Sequence, residues 1–346
     1  MKDMDASNTG AVLTFGELLL RICPDADGDW LNANQLPVHV GGAELNVATA
    51  LALWGIDTKY FTALPNNGLS NTLVNYMVGR GIDTSAIFKG GSRLGLFYLT
   101  KGADMKHDAV IYDRAGSAFA ELKPGMIEWD RVLDGVSWFH FSAICPALSQ
   151  QTADLCEEVL IAASQRNIVI SIDLNYRAKL WQYGKQPQEI MPGLVKYCNL
   201  IMGNVWAAES LLGIAVDPDI HNNGTQENYL KEAMSVSEKI MAQYSKCRAV
   251  ANTFRFDHQQ GIKYYTALYQ DGVLHNSAVY VAEQVTDKVG SGDCFMAGLI
   301  YGYYKQMQPQ NTLDFATAAA FEKLFIHGDA TKSTVAQINK AIKHDR

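Results

Sequence analysis

Near the C-terminal end of the chain, Gly290-Ser291-Gly292 is followed at once by Asp293 and then by an apolar run, Cys294 to Leu299. If the glycine-rich triplet is a turn leading into a helix, several backbone N–H groups point into one small volume. The positive end of the helix dipole adds to them, and the result is an anion hole. Glycine supplies the close approach and positive φ angles such a turn needs. Asp293 then stands at the rim of a site built for negative charge. It has two readings: a helix N-cap, or a base that takes a proton from an alcohol while the amides hold a transferring phosphoryl group. The stretch is not a Walker loop, since GxxxxGK[ST] occurs nowhere, and no GxGxxG follows the first β-rich run.

Three other segments bring chemically able groups together. In "VGGAELNVATALALWG", Gly41 and Gly42 lead into an amphipathic helix whose opening turn carries Glu44 and Asn46. Asn46 and the backbone at Gly42 could read the hydroxyls of a small ligand; a tight turn with capping is the plainer account. In "SIDLNYRAKLW", a β-rich run ends in Asp173, Asn175 and Arg177. Arg177 could clamp a carboxylate or phosphate through two N–H groups, or form a structural pair with an aspartate. "AVIYDRAGSAF" adds Tyr112 and Arg114. Strand alternation could set both on one face, a hydroxyl donor beside a cation.

Such groups need strands that end, and helices that begin, on one side of a sheet. Short β-rich runs alternate with helical patterns: "AVLTFGELLLRI" precedes "AELNVATALALWG", "KYFTAL" precedes "NTLVNYMVGRG", and "IVISIDLN" follows "QTADLCEEVLIAASQRN". That rhythm indicates βαβ units, hence an α/β fold with a mostly parallel central sheet. Ligands bind such sheets beyond the carboxyl ends of the strands. Residues 17–39 and 89–121 break the rhythm with β-strands that have no intervening helices. Two excursions of this kind can pair as a small sheet over the site, although surface hairpins would give the same pattern. The expected division is therefore a core of residues 10–16, 40–88 and 122–345 and a β lid of residues 17–39 and 89–121. "GIAVDPDIHNNGTQEN" is polar and turn-rich and reads as a surface insertion.

Composition narrows the class. A chain of 346 residues with 48% hydrophobic content can bury a large core. A formal charge of −7 and the lack of a basic block argue against gripping nucleic acid. No segment resembles a signal peptide or a membrane span, so a cytoplasmic protein is expected. Cys23, Cys145, Cys156, Cys198, Cys247 and Cys294 are scattered, without CxxC pairs, and read as reduced, buried thiols.

On these segments the chain resembles the ribokinase-like (PfkB-type) carbohydrate kinases, from about residue 12 to residue 343. "GGAELNVA" looks like the family's N-terminal signature and "DKVGSGDCFMAG" like its C-terminal "DTxGAGDxFxxG". The resemblance implies a three-layer α/β/α core with a small β-sheet lid. It also implies an anion hole at Gly290, Ser291 and Gly292, Asp293 as the base, and ATP with Mg²⁺ as cofactors; dependence on a monovalent cation such as K⁺ is left open. Within the family, "GGAELNVA", "YDRAGSA", "SAICPALS" and "IDLNYRAKLW" are similar to the 2-keto-3-deoxygluconate kinases. That similarity implies a sugar acid surrounded by Tyr112, Arg114 and Arg177, with Gly42 and Asn46 facing its hydroxyls. For the nucleotide it implies Asn204, Asp287, Gly290, Gly292, His327 and Gly328; metal ligands are not assigned. The expected reaction is ATP-dependent phosphorylation of the terminal primary hydroxyl of 2-keto-3-deoxygluconate, giving the 6-phosphate and ADP. The alternatives are a fructokinase or another keto-sugar or sugar-acid kinase, and a non-catalytic sugar-acid sensor. A small-molecule sugar acid and ATP are thus the expected partners, without nucleic acid or membrane. The edges of lid strands could pair across a homo-oligomer.

Four positions depart from the family pattern. Asp287-Lys288 replaces the usual Asp-Thr. The family's NxxE motif reads Asn204-Val205-Trp206-Ala207, without its glutamate, and Glu209 is two residues further on, some ~200° around a helix. The nucleotide-lining strand reads "NTFRFDHQQGIKYY", in which Arg255 could supply positive charge, and Phe97 stands where a tyrosine is common.

Overall fold

The structure is a computed structural model that describes residues 10–24, 30, 34–100, 110–222, 224–258 and 261–343. Parts of the two β excursions, residues 25–29, 31–33 and 101–109, lie outside the described residues, as do residues 1–9 at the N-terminus, Asn223 of the polar insertion and the Gln259-Gln260 pair.

Apolar alternation builds the centre. In the first strand, Ala11–Phe15, Leu13 and Phe15 join one buried cluster while Val12 joins another. Trp138 and Phe139 divide in the same way along Val136–Ser142, as do Val169 and Ile170 along Val169–Asp173. Successive residues of a strand point to opposite faces, so two apolar faces require a layer of helices on each. One face is covered by helices Gln150–Gln165, Pro187–Val195, Val205–Leu212 and Gln226–Gln243. The other is covered by Ala43–Leu53, Ser291–Tyr304 and Pro309–Lys323. The three-layer α/β/α expectation holds.

The large sheet has ten strands among the described residues. From Ala249–His258 the order runs Leu200–Gly203, Val169–Asp173, Val136–Ser142, Ala11–Phe15, Thr58–Phe61 and Ile82–Asp83, all parallel. Gly261–Gln270 pairs antiparallel beyond Ala249–His258. Local signals set the helix starts: Ser149 and Thr152 form a capping box, Asn67 accepts from Ser70 N, and Pro187 and Pro309 occupy first-turn positions.

A separate four-stranded sheet is ordered Val38–Gly41, Leu19–Ile22, Gly95–Tyr98 and Ile111–Asp113. Its register puts His39, Arg21, Phe97 and Tyr112 in one row across the strands. The polar insertion is more than surface: Ile214, Val216 and Ile220 are buried in the core, and its end begins the helix Gln226–Gln243. Apolar residues two and four apart anchored what the turn-rich composition disguised.

Candidate active site

The parallel strands deliver their last residues to one cleft of about 480 Å³. Glu17 follows the first strand, Asp173 ends Val169–Asp173, and Gly203-Asn204 closes the next; all line the cleft. Two helices begin there as well. Gly42, at φ 135°, precedes Ala43–Leu53, and a Cβ at this position would lie 2.7 Å from the Glu17 carbonyl oxygen. Gly290, at φ 80°, precedes Ser291–Tyr304, and a Cβ there would lie 1.8 Å from the Asp329 carbonyl oxygen. Both positions require glycine on conformation and on space.

Asp293 sits in the first turn of the second helix, buried, on the cleft wall. Asn46 Nδ2 donates to its Oδ2 at 2.7 Å, so the two glycine-led helices meet through this pair. Burial pushes the Asp293 carboxyl up to about 6; the Asn46 hydrogen bond and the charges of Arg177 and Lys323 oppose the shift. No side-chain capping bond forms at this helix, which removes the plainer account of the aspartate.

Two further carboxyls crowd the floor. Burial, then the neighbouring Asp293, drives Asp173 well above the carboxylate range, and Arg177 acts against it. Glu44 is raised by burial and restrained by Ser142 Oγ, which donates to its Oε1. Gly16 makes room for Glu44, since a Cβ there would lie 2.0 Å from Oε2.

The cationic side is less uniform than the sequence suggests. Arg114 is buried, and its Nε donates to Glu17 Oε2 at 2.5 Å, so much of its charge is already answered. Arg177 is half-buried at the mouth, with Nη1 donating to the Tyr176 carbonyl at 3.0 Å and Nε buried without a hydrogen-bond partner among the described residues. Lys179, two residues on, lines the cleft and donates to the Val110 carbonyl beside the small sheet at 3.3 Å. Tyr112 lies opposite Phe97 on that sheet, their ring centroids 6.4 Å apart, and both line the cleft.

The structure thus brings Gly42, Asn46, Tyr112, Arg114, Arg177, Asn204, Gly290, Ser291, Gly292 and Asp293 to one cavity. It does not bring Asp287, His327 or Gly328 to the cavity wall. The Asp287 carboxylate is held beneath the glycine turn by Arg21 Nη2 at 2.6 Å, Val289 N at 3.0 Å and Gly328 N at 3.3 Å; His327 is exposed. Asn204 spends its side-chain oxygen capping the helix Val205–Leu212, accepting from Ala207 N at 2.8 Å. Glu209 is exposed, off the cavity wall, and binds Val216 N, as its helical position requires. On the unusual strand, Asn252 turns inward to Ser237, while Thr253 and Arg255 line the cleft beside Lys288.

Glu17 and Lys179 were readable: one follows the first strand at its carboxyl end, and the other sits inside a segment already singled out. Arg21, Lys323 and Asp329 were not, because their meeting depends on tertiary contacts across the chain.

The model of the pfkB family carbohydrate kinases matches residues 11–334. The 2-dehydro-3-deoxygalactonokinase of Haloferax volcanii is 26% identical over 341 residues, 97% of this chain and 97% of that protein. Among solved structures, the 2-dehydro-3-deoxygluconokinase of Thermotoga maritima aligns at TM-score 0.86 and 33% identity, covering 96% of this chain and 98% of that one. A PfkB family carbohydrate kinase from Listeria grayi aligns at TM-score 0.83 and 28% identity, covering 96% of this chain and 100% of that one.

Proposed function

The chain belongs to the pfkB family of carbohydrate kinases, and on that premise we propose that it phosphorylates a 2-keto-3-deoxy sugar acid at its terminal primary hydroxyl, with ATP as donor. 2-Keto-3-deoxygluconate is the favoured substrate and the 6-phosphate and ADP are the products. The observation that carries this reading is the Asn46–Asp293 pair at the head of the glycine turn. A buried carboxyl held at about 6 is charged at neutral pH yet basic enough to accept an alcohol proton as phosphoryl transfer proceeds. In this reading the amides of residues 290–292, which line the cleft, receive the charge that develops on the transferring group.

The sugar-acid assignment rests on Arg177 and Lys179 at the cleft mouth. A neutral sugar needs no such pair, whereas a 2-keto acid carries a carboxylate to be met. Arg114, already paired with Glu17, orients hydroxyls together with Gly42, Asn46 and Tyr112 in this reading. Arg255, Lys288 and Asn204 form the phosphate side of the nucleotide site. Among the described residues, no group of three or more His, Cys, Asp or Glu side chains forms a metal cage. In this reading Mg²⁺ would enter with the nucleotide and would offset the charge of its phosphates. The core of residues 10–16, 40–88 and 122–345 carries the chemistry. Residues 17–39 and 89–121 serve as a lid that excludes water, a competing acceptor. No helix among the described residues is long and apolar enough to cross a membrane.

The Glu17–Arg114 pair favours one second reading, a neutral keto-sugar as acceptor, because it leaves fewer cations for a carboxylate. ADP release with ATP and Mg²⁺ separates the two. The panel holds 2-keto-3-deoxygluconate, 2-keto-3-deoxygalactonate, fructose, tagatose and ribose. Turnover confined to the keto acids supports the proposal; preference for fructose or tagatose overturns it.

A further inference from the structure

Lys323 ends the helix Pro309–Lys323 and has 0% of its surface exposed, a rare state for a lysine. Its Nζ donates to the Ile326 carbonyl at 3.1 Å, while Ile326 N returns a bond to the Lys323 carbonyl at 3.0 Å. Among the described residues, Ile326 is the hydrogen-bond partner Nζ has, although an ammonium carries three donors. Burial pulls its pKa down, and the nearby Asp287 and Asp329 carboxylates pull it back. The lysine lies outside the cleft wall but directly behind the glycine turn. A Cβ built on Gly290 would lie 3.4 Å from Lys323 Cε.

Lys323 shares the space behind the turn with Arg21, Asp287 and Asp329. Arg21 Nη2 contacts Asp287 Oδ2 at 2.6 Å and Asp329 Oδ1 at 2.9 Å. Burial lifts Asp329 to about 7, against the pull of Arg21 and Lys323. Arg21 and Lys323 are thus two cationic side chains packed behind one turn, with Asp287 and Asp329 beside them. Lys323 stands behind the turn whose residues line the cleft, and its charge opposes the upward shift of Asp293.

We propose that Lys323 is a positioning residue for phosphoryl transfer: a resident cation behind Gly290 that biases the 290–292 turn toward an anionic phosphoryl group. The inference rests on the reading of that turn as the seat of the transferring group. Because the ammonium is sealed in, its charge is not screened as a surface lysine's would be.

The test is Lys323→Met, which keeps the length of the stem and removes the charge. Steady-state kinetics are paired with calorimetric binding of a non-hydrolysable ATP analogue and of AMP, which lacks the phosphates the turn would hold. The variant should lose roughly 10- to 100-fold in kcat, less than a direct amide donor, with sugar KM within about twofold. Analogue affinity should fall about tenfold while AMP affinity stays constant. Lys323→Arg should recover part of the loss, and methylammonium should restore part of the activity of Lys323→Ala. Near-normal kcat and analogue affinity in a folded Lys323→Met overturns the proposal; so does an equal loss of AMP affinity, which marks a merely structural role. Should that variant not fold, Lys323→Met/Asp329→Asn removes one charge of each sign and is held to the same outcomes. If the unaltered enzyme turns over no sugar in the panel, the substrate reading fails, and the analogue-against-AMP comparison still decides on Lys323.

Discussion

Asp293 and Asn46 lie 247 positions apart in sequence and meet at 2.7 Å, and that one contact yields the most direct predictions. Asp293→Asn keeps the shape and removes the base, so kcat should fall roughly 10²- to 10⁴-fold with little change in thermal stability; near-normal turnover would remove the residue from the mechanism. The base works unprotonated, so kcat/KM should drop by one proton's worth as pH falls through about 6. Asn46 favours the charged form, and Asn46→Ala should therefore move that acidic limb to higher pH. A pH profile identical in the two enzymes would deny the link. Arg177→Ala should raise KM for a 2-keto-3-deoxy acid sharply and leave a neutral sugar's KM unchanged. Equal effects on both would assign Arg177 a structural role. The residue types at Asp293, Asn46 and Arg177 were legible because each sits at the end of a recognisable turn or strand. The pairing of Arg114 with Glu17 was not legible. Nothing local to "YDRAGSA" reveals a carboxylate 97 positions away that halves the meaning of its charge.

Among the elements, the two helices led by Gly42 and Gly290 matter most. Each begins at a positive φ, and each leading glycine has a carbonyl oxygen where a Cβ would go. Gly290→Ala should cost ~1–2 kcal/mol for the left-handed backbone alone, plus the displacement of Asp329. Activity should fall further than stability does, since the displaced segment is the anion turn. A melting curve with the kinetic constants checks this, and an active, stable alanine variant would show that the turn tolerates what its geometry forbids. Alternation in "AVLTF" and "SWFHFS" made the sheet and its two faces readable. The small sheet was readable only as a pair of helix-free excursions, because strand pairing between residues far apart in sequence leaves no local signature.

For the molecule as a whole, stability and pH meet at His140, buried in the middle of the central sheet and beside Ser171 Oγ at 3.0 Å. Burial holds it neutral, with its pKa down to about 3. The unfolded chain takes up a proton near pH 6.5 and the folded one does not, so this group's contribution is intact above about 6.5 and declines toward pH 3. The slope is ~1.4 kcal/mol per pH unit. Asp293 and Asp329, raised to about 6 and about 7, act in the opposite sense, because they bind protons more readily when folded. Comparing denaturation of the parent and His140→Asn between pH 5 and 6.5 isolates the histidine, and the parent's stability should fall more steeply by close to one proton. Parallel slopes would mean that His140 is not buried neutral. The Arg21 contacts carry a last, mechanical consequence. The small sheet is bolted to the core at its second strand, whereas Tyr112 rides on the fourth, about 10 Å away at ordinary strand spacing. Any swing of that sheet would therefore pivot beside Gly290, and its far strand would first have to release the Lys179 contact to the Val110 carbonyl.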